Sequence, residues 1–294
     1  MGHADPQLAT VIADTHDAHA LDNFWMPFSP NKEFKAQPRM FVKGEGMYLW
    51  TDDGHKLIDA ASGLFCVAAG HCRPEIAEAV YQQLKTLDYT MPFTRAHPKG
   101  FRLAREVAEF TPEGLDRLFF VCSGSEAVDS AMKMALAYHR VRGQGHRQIF
   151  ISRERAYHGV NMGGVALSGM INNRKVFGVG LPGVYHMRHT ALPQNKFVKG
   201  QPETGADLAD DLQRYCTMYG GENIAAVFVE PTAGSFGCLP PPKGYLDKLR
   251  AICDQHGILL VFDEVITGWG RMGANFGAQA FGVTPDLMCM AKAI

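Results

Sequence analysis

The sequence lacks the features that mark secreted, membrane-spanning and nucleic-acid-binding proteins. Its seven cysteines are odd in number and include no C-x-x-C pair, which argues against a complete disulfide framework. The N terminus has no basic stretch followed by an apolar one, and no window approaches the ~20 apolar residues of a membrane span. A formal net charge of -1 gives no broad attraction to nucleic acid or anionic lipid. We therefore expect a cytoplasmic protein that acts on small molecules and has neither nucleic acid nor a membrane as a partner.

Several catalytic motifs are also missing around the reactive side chains. Ser123 and Ser125 have no Walker loop, dinucleotide fingerprint or G-x-S-x-G elbow around them, which argues against a P-loop nucleotide site and a serine hydrolase there. The acidic pair Asp263 and Glu264 has no spaced histidine cluster to complete a metal site. We therefore expect no metal ion.

What the chain does have is enough apolar sequence for a large core, arranged in two patterns. It has 294 residues, of which 46% are hydrophobic and 20% are charged. Residues 1–72 contain a polar arm and short alternating segments around the turn 52–54, which predict a small antiparallel meander. In residues 73–294, apolar strand-like runs alternate with helical segments. Because helical crossovers force parallel pairing, this region predicts a doubly wound α/β domain, with helices on both faces of a mostly parallel sheet.

Ligands of an open parallel sheet bind at the carboxyl ends of its strands, so the residues that follow each strand are the candidate site. The predicted strands are 118–121, 148–152, 224–229, 258–262 and 287–290, and the predicted helices are 74–87, 98–110, 125–142, 207–219 and 245–256. The residues that follow the strands are 122–127, 155–159, 230–231, 263–265 and Lys292.

Each candidate has a functional and an ordinary interpretation. The run 123–125 opens a helix, so its N–H groups could bind a phosphate, although an N-cap explains the same residues. Asp263 follows an apolar strand, so we expect it near burial with a cationic or hydrogen-bonding partner, for which a protonated pyridine nitrogen is suitable. Tyr157 could stack on a planar cofactor, or pack with His158. Lys292 could hold an aldehyde cofactor as a Schiff base, or be a surface lysine.

Taken together, these motifs resemble the class III (subgroup II) aminotransferases, fold type I enzymes that use pyridoxal 5'-phosphate. The resemblance runs from about residue 21 to the end of the sequence and is most specific in the run 259–271, which continues through 281–286 to Lys292. Within the family, the segments 21–28, 172–175 and 241–246 are most similar to the ω-amino acid–pyruvate, or β-alanine–pyruvate, aminotransferases. The resemblance implies transamination from an ω-amino acid such as β-alanine, or a primary amine, to pyruvate.

The resemblance also implies roles for single residues. Lys292 would bind the cofactor covalently and move the proton of the substrate carbon, and Asp263 would keep the pyridine nitrogen protonated. Tyr157 and Val265 would cover the two faces of the ring. The full cofactor-binding set would be Ser123, Gly124, Ser125, Tyr157, His158, Glu230, Asp263, Val265 and Lys292. The substrate pocket would be formed by Trp25, Phe65, Phe93, Tyr157 and Ser235, with Phe65 where relatives tend to carry tryptophan.

Members of this family continue well past the lysine, so we expect the chain to be an N-terminal portion that lacks a C-terminal small domain. On that basis the 294-residue chain is expected to be inactive by itself, and the full-length protein to be a homodimer or a dimer of dimers. Two alternatives stay open at this point. One is a noncatalytic truncated relative, and the other is a different fold type I enzyme such as an aminomutase.

Overall fold

The computed structural model describes residues 21–91, 93–178 and 180–294, so the predicted N-terminal arm lies largely outside the described residues. The chain divides into two compact units, Met1–Thr94 and Arg95–Ile294. The domain boundary predicted between residues 72 and 73 stays a prediction.

The first unit contains a three-stranded antiparallel meander, as predicted. Its strands are β1 Phe41–Glu45, β2 Tyr48–Thr51 and β3 Lys56–Ile58, paired in that order. The N–H of Gly54 donates to Thr51 O at 3.0 Å and closes the turn between β2 and β3, where Gly54 has a left-handed φ of 89°. Two helices accompany the meander, α1 Asn31–Ala36 and α2 Pro74–Thr86. A single helical turn, Ser62–Phe65, has left-handed backbone inside it.

The second unit is built on a five-stranded sheet in which every pairing is parallel. The strands are β4 Ile149–Arg153, β5 Val184–Met187, β6 Ile224–Val229, β7 Leu259–Asp263 and β8 Leu287–Cys289, in the spatial order β5-β4-β6-β7-β8. The helices are α3 Pro98–Ala108, α4 Gly124–Val141, α5 Met162–Leu167, α6 Ile171–Arg174, α7 Asp210–Tyr219, α8 Tyr245–His256 and α9 Gly277–Phe281. Short 3₁₀ turns lie at Pro193–Asn195, Ala206–Ala209 and Gly221–Asn223.

The sheet is buried on both faces, which explains why its strands are uniformly apolar. All six residues of the central strand β6 are fully buried. One core cluster packs side chains of the strands against Leu212 of α7 and Leu249 of α8, and a second packs them against Val128 and Ala135 of α4. Helices therefore cover both faces, and the prediction of a doubly wound, mostly parallel α/β fold is confirmed.

Three local predictions differ from the structure. The run 118–121 pairs with no strand among the described residues, and its Phe119 is 66% exposed, so the predicted strand there is wrong. An apolar run predicts burial, but a strand also needs a neighbour with free backbone groups. Strand β5 was not predicted, because Val184–Met187 is short and contains a histidine. The predicted helix 207–219 is a 3₁₀ turn followed by α7.

None of the described helices has the length and apolar character needed to cross a membrane.

Candidate active site

The first residues of helix α4 form one side of the candidate site. Ser123 is the N-cap of this 18-residue helix, and its Oγ accepts a hydrogen bond from the N–H of Glu126 at 3.1 Å. In turn, the Glu126 carboxylate accepts a hydrogen bond from the N–H of Cys122 at 2.8 Å, an arrangement similar to a capping box. The N-cap interpretation is therefore correct for Ser123. The positive end of the helix dipole still lies at Gly124 and Ser125, where an anion would be stabilised.

A buried carboxylate and a buried histidine lie at the centre of the site. Asp263 is the last residue of β7, and its Oδ2 is 2.8 Å from Nδ1 of His158. Both side chains are almost completely buried. The other carboxylate oxygen, Oδ1, accepts a hydrogen bond from the N–H of Val265 at 3.1 Å. Asp263 thus has the hydrogen-bonding partners that its position after an apolar strand requires, and these two contacts fix the plane of its carboxylate.

His158 is itself held in place from two further directions. Its Nε2 is 3.1 Å from Oγ of Ser152 on β4, and its main-chain N–H donates to Oγ of Ser168 at 3.1 Å. When Nδ1–H donates to Asp263 and Nε2 carries no proton, Nε2 accepts a hydrogen bond from the Ser152 hydroxyl. A chain of contacts therefore runs from Ser152 on β4 through His158 to Asp263 on β7, and it orients the Asp263 carboxylate.

Close backbone contacts join the remaining motifs to this centre. A Cβ added at Gly159 would lie 2.6 Å from Oγ and 2.9 Å from Cα of Ser125, so only glycine fits there. The Ser125 Oγ accepts a hydrogen bond from the N–H of Val160 at 3.0 Å. On the other side, a Cβ at Gly124 would come within 3.1 Å of Val265 and 3.3 Å of Ala291. The start of α4 is therefore in contact with the loop after β4 on one side and the segments after β7 and β8 on the other.

Tyr157 and Glu230 are among the titratable groups that the Asp263 carboxylate influences. Burial raises the pKa of the half-buried Tyr157, and the charge of Asp263 raises it further, so the phenol stays protonated. Burial also raises the pKa of Glu230 to about 7, and Asp263 adds to this rise. The positive charge of Arg153 and the neighbouring His158 oppose it. The centre of the site thus contains two buried carboxyl groups, of which Glu230 changes charge near neutral pH.

Lys292 lies in the segment that follows β8, next to Ala291 and at the same edge of the sheet as Asp263. The N–H of Glu264 donates to Cys289 O at 2.9 Å, which ties the ends of β7 and β8 together. Lys292 has a left-handed φ of 61°, an uncommon conformation for a residue with a side chain. Such backbone is concentrated at functional sites, because the surrounding structure has to impose it. The side chain is half-exposed.

The structure brings together most of the predicted cofactor set but leaves the predicted pocket divided. At one edge of the sheet, contacts or electrostatic interactions link Gly124, Ser125, Tyr157, His158, Glu230, Asp263, Val265 and Ala291, the residue before Lys292. Of the predicted pocket residues, Tyr157 and Ser235 belong to the second unit, whereas Trp25, Phe65 and Phe93 belong to the first. Trp25 and Phe93 are strongly exposed. A shared substrate pocket therefore stays a prediction.

The sequence reasoning missed three residues of the site, Ser152, Arg153 and Ser168. Ser152 and Arg153 are polar residues at the end of the apolar run of β4, and both are buried. A buried polar group needs a partner, so a polar residue at the end of such a run was a usable signal. Ser168 lies just after the short helix α5, where the sequence gives no comparable indication.

Residues 28–294 match the family described as Aminotransferase class-III. The chain belongs to this family. It is 56% identical over 278 residues to the omega-aminotransferase of Caulobacter vibrioides, a match that covers 94% of this chain and 63% of that protein. It is 51% identical over 293 residues to the omega-amino acid–pyruvate aminotransferase of Pseudomonas putida, covering 99% of this chain and 64% of that protein.

The solved structures of transaminases give the same assignment. The (S)-enantioselective omega-transaminase from Thermomicrobium roseum superposes with a TM-score of 0.88 at 34% sequence identity, over 97% of this chain and 63% of that chain. The resemblance inferred from the motifs is therefore confirmed, and so is the fold type that it implied. The class III aminotransferase chain described here spans just under two thirds of the length of these relatives.

Proposed function

We propose that the protein is a pyridoxal-phosphate-dependent aminotransferase that moves an amino group from an ω-amino acid such as β-alanine, or from a primary amine, to pyruvate. The observation that carries the proposal is the buried Asp263–His158 pair, which adjoins both the start of α4 and the segment that contains Lys292. A fixed carboxylate, a helix N-terminus and a lysine are the groups that would hold the ring nitrogen, the phosphate and the aldehyde of this cofactor.

The described residues fit the cofactor at two of these points, the ring nitrogen and the phosphate. Asp263 would hold the ring nitrogen, since its carboxylate is buried and oriented by His158 and by the N–H of Val265. Gly124 and Ser125 would bind the phosphate at the helix dipole. A solved omega transaminase from Pseudomonas jessenii, 33% identical with a TM-score of 0.87 over 92% of this chain and 61% of that chain, is described as a complex with PMP.

The cofactor supplies an electron sink for the bond that is broken at the substrate carbon. The residues of this chain would bind and orient the reactants and move the proton. Asp263 would stabilise positive charge at the ring nitrogen, and the contact with His158 holds the orientation of its carboxylate. The Lys292 amine is proposed as the base that takes the proton from the amine-bearing carbon of the substrate. Tyr157 stays uncharged beside Asp263 because its pKa is raised, so it offers an apolar face with a hydroxyl.

The proposed amino acceptor is pyruvate, supported by the names of the relatives from Pseudomonas putida and Pseudomonas aeruginosa, an omega-amino acid–pyruvate and a beta-alanine–pyruvate aminotransferase. The residues predicted from the sequence for the substrate pocket, Trp25, Phe65, Phe93, Tyr157 and Ser235, are mostly aromatic, which suits a flexible donor and a small keto acid. We also propose a cytoplasmic location and a homodimer. The cytoplasmic location is supported by the seven cysteines, which are all free of disulfide bonds.

Initial rates of the full-length protein with β-alanine as the donor and each keto acid in turn test the proposal. We expect a higher kcat/KM for pyruvate than for 2-oxoglutarate. A clear preference for 2-oxoglutarate would refute the acceptor and leave the aminotransferase assignment standing. Isomerisation of an amino substrate with no keto-acid dependence would instead favour an aminomutase, and the absence of cofactor absorbance from the purified protein would favour a noncatalytic relative.

A further inference from the structure

A buried arginine lies beside the second carboxyl of the site and has no role in the function described so far. Arg153 is the last residue of β4 and is 2% exposed. Its Nη2 donates a hydrogen bond to the main-chain oxygen of Glu230 at 3.1 Å, and lies 3.8 Å from the Glu230 carboxylate oxygen Oε2. One guanidinium group therefore contacts both the backbone and the side chain of Glu230, across the pairing of β4 with β6.

The Glu230 carboxyl depends on this arginine because it has few other partners. Its Oε2 is buried and has no hydrogen-bond partner among the described residues. A buried carboxylate without compensation is costly, whereas a guanidinium keeps its charge at any ordinary pH. The Arg153 guanidinium also lies 5.9 Å from the ring centre of Tyr245, a fully buried residue of α8. Arg153 is thus enclosed by apolar and aromatic groups, so its charge is screened only weakly by water.

Glu230 in turn lies within the electrostatic reach of Asp263. The charged and titratable groups that face it are Arg153 from β4, Tyr157 and His158 from the loop after β4, and Asp263 from β7. Burial and Asp263 disfavour the ionised carboxylate, whereas His158 in its protonated form, Arg153 and the main-chain N–H of Tyr157 favour it. The charge of Glu230 is therefore set by a balance in which Arg153 is the permanent cation.

We propose that Arg153 is a positioning residue for the reaction, which holds the buried Glu230 carboxyl next to Asp263 and controls whether that carboxyl is charged. An ionised Glu230 adds negative potential at Asp263 and strengthens its hold on a cationic ring nitrogen. A neutral Glu230 removes that potential. This inference rests on the proposed function for its catalytic consequence, but the control of the charge of Glu230 by Arg153 is a property of the protein alone.

The matched control is a second buried arginine, just before the start of the same strand. Arg147 lies two residues before β4, at its opposite end, and is 6% exposed. It donates to the main-chain oxygens of Gly221, Ile224 and His256, each at 3.0 Å. Arg147→Met removes a buried guanidinium and its carbonyl contacts, as Arg153→Met does, but far along the strand from Glu230. Loss of stability alone would affect both variants.

The test is an infrared pH titration of the cofactor-free protein, in which the carbonyl band of a protonated carboxyl is assigned to Glu230 by its loss in Glu230→Gln. The band should disappear with a midpoint near pH 7 in the wild-type protein. In Arg153→Met the midpoint should rise by about one to three pH units, the effect of losing an opposite charge at this distance. In Arg147→Met the midpoint should stay at the wild-type value. Arg153→Lys keeps the charge, so its midpoint should lie close to that of the wild-type protein.

The pH dependence of kcat/KM is the second measurement that tests the role of Arg153. If the proposed function is right, the limb assigned to Glu230 should move upward in Arg153→Met by the same amount as the infrared midpoint. Equal midpoints in Arg153→Met and Arg147→Met would overturn the inference. If Arg153→Met does not fold, Arg153→Gln, which removes the charge but keeps a polar side chain, decides the question: a midpoint above the wild-type value supports the inference and an unchanged midpoint refutes it. An infrared shift in a full-length protein without transaminase activity would overturn the proposed function alone.

Discussion

The carboxylate of Asp263 is the single group on which the proposed chemistry depends most. Replacing it by asparagine keeps the shape of the side chain and its contact with the N–H of Val265, but removes the charge that holds a ring cation. We expect Asp263→Asn to lower kcat by about 100-fold or more, which corresponds to about 3 kcal/mol of transition-state stabilisation. Steady-state kinetics and the absorbance of bound cofactor measure the two effects separately, and activity should fall much more than occupancy.

Asp286→Asn is a suitable control for this variant. Asp286 precedes β8, and its Oδ2 accepts hydrogen bonds from the N–H of Leu260 at 2.7 Å and from Arg250 at 2.8 Å, near the start of β7. Asp263 is therefore the last residue of β7, whereas Asp286 contacts the start of β7. We expect the control to lose stability and keep its turnover. Near wild-type transamination by Asp263→Asn would show that the carboxylate does not stabilise a ring cation.

Lys292 has a different expected signature, because it is proposed to bind the cofactor covalently. We expect borohydride reduction of the loaded protein, followed by peptide mapping, to place the adduct on the peptide that contains Lys292. Lys292→Met should abolish both the adduct and turnover. Lys133→Met, which changes an exposed lysine of α4, should do neither. An adduct on Lys133 or Lys243 in the wild-type protein would show that the assignment is wrong.

At the scale of elements, the contact between helix α4 and the loop after β4 is the most constrained junction of the site. Gly159 has a φ of 113°, and its added Cβ would lie 2.9 Å from the backbone Cα of Ser125, which cannot move without shifting the start of α4. We expect Gly159→Ala to lower the free energy of unfolding by about 1–3 kcal/mol beyond the cost of its backbone conformation, and to weaken cofactor binding. Urea unfolding and a cofactor titration measure the two quantities.

Gly143→Ala separates the clash from the backbone strain. Gly143 also has a left-handed φ, of 76°, but an added Cβ there would meet no atom within 4 Å. The control should show only the cost of placing alanine in left-handed backbone, with cofactor binding unchanged. Equal losses of stability in the two variants would mean that the contact between Gly159 and Ser125 does not constrain the helix.

The elements that could be predicted from the sequence are those whose signals are local. The helix 245–256 begins after glycine and ends before glycine, and its predicted bounds match α8. The strand 224–229 is a continuous apolar run and also matches. The run 118–121 has the same apolar character but no strand, since pairing depends on a neighbour that is distant in sequence. Strand β5 has weak local signals and forms because β4 offers it a parallel partner.

The same distinction applies to the candidate site. Asp263 and Lys292 could be chosen from the sequence because they follow apolar runs, and Gly124–Ser125 because they open a helix. The contact of His158 with Asp263, which are 105 residues apart, could not be derived from spacing. The position of Arg153 at the end of an apolar run could have marked it for burial, but its partner could not be derived, because a strand-terminal arginine is ordinarily exposed. Its burial depends on the carbonyl of Glu230, which only the folded sheet places beside it.

At the scale of the whole molecule, the buried Glu230 makes the stability of the second unit depend on pH. Its pKa is raised from an ordinary value of 4.5 to about 7 in the folded protein. Between these values the folded state binds a proton that the unfolded chain has lost, so the free energy of unfolding falls as pH rises through this window. Above about pH 7 the contribution of Glu230 to the free energy of unfolding no longer changes with pH. Glu230→Gln has no ionisable group there and escapes this loss.

We therefore expect the free energy of unfolding of Glu230→Gln, relative to the wild-type protein, to increase by about 3 kcal/mol between about pH 4.5 and pH 7. Urea unfolding can be followed in the second unit through the fluorescence of Trp269, with Trp25 and Trp50 replaced by phenylalanine in both proteins. Glu113→Gln, which changes an exposed glutamate, should give a nearly constant difference over the same range. A flat difference for Glu230→Gln as well would mean that the carboxyl ionises in the folded protein near its ordinary pKa, and the charge balance described for the site would then be wrong.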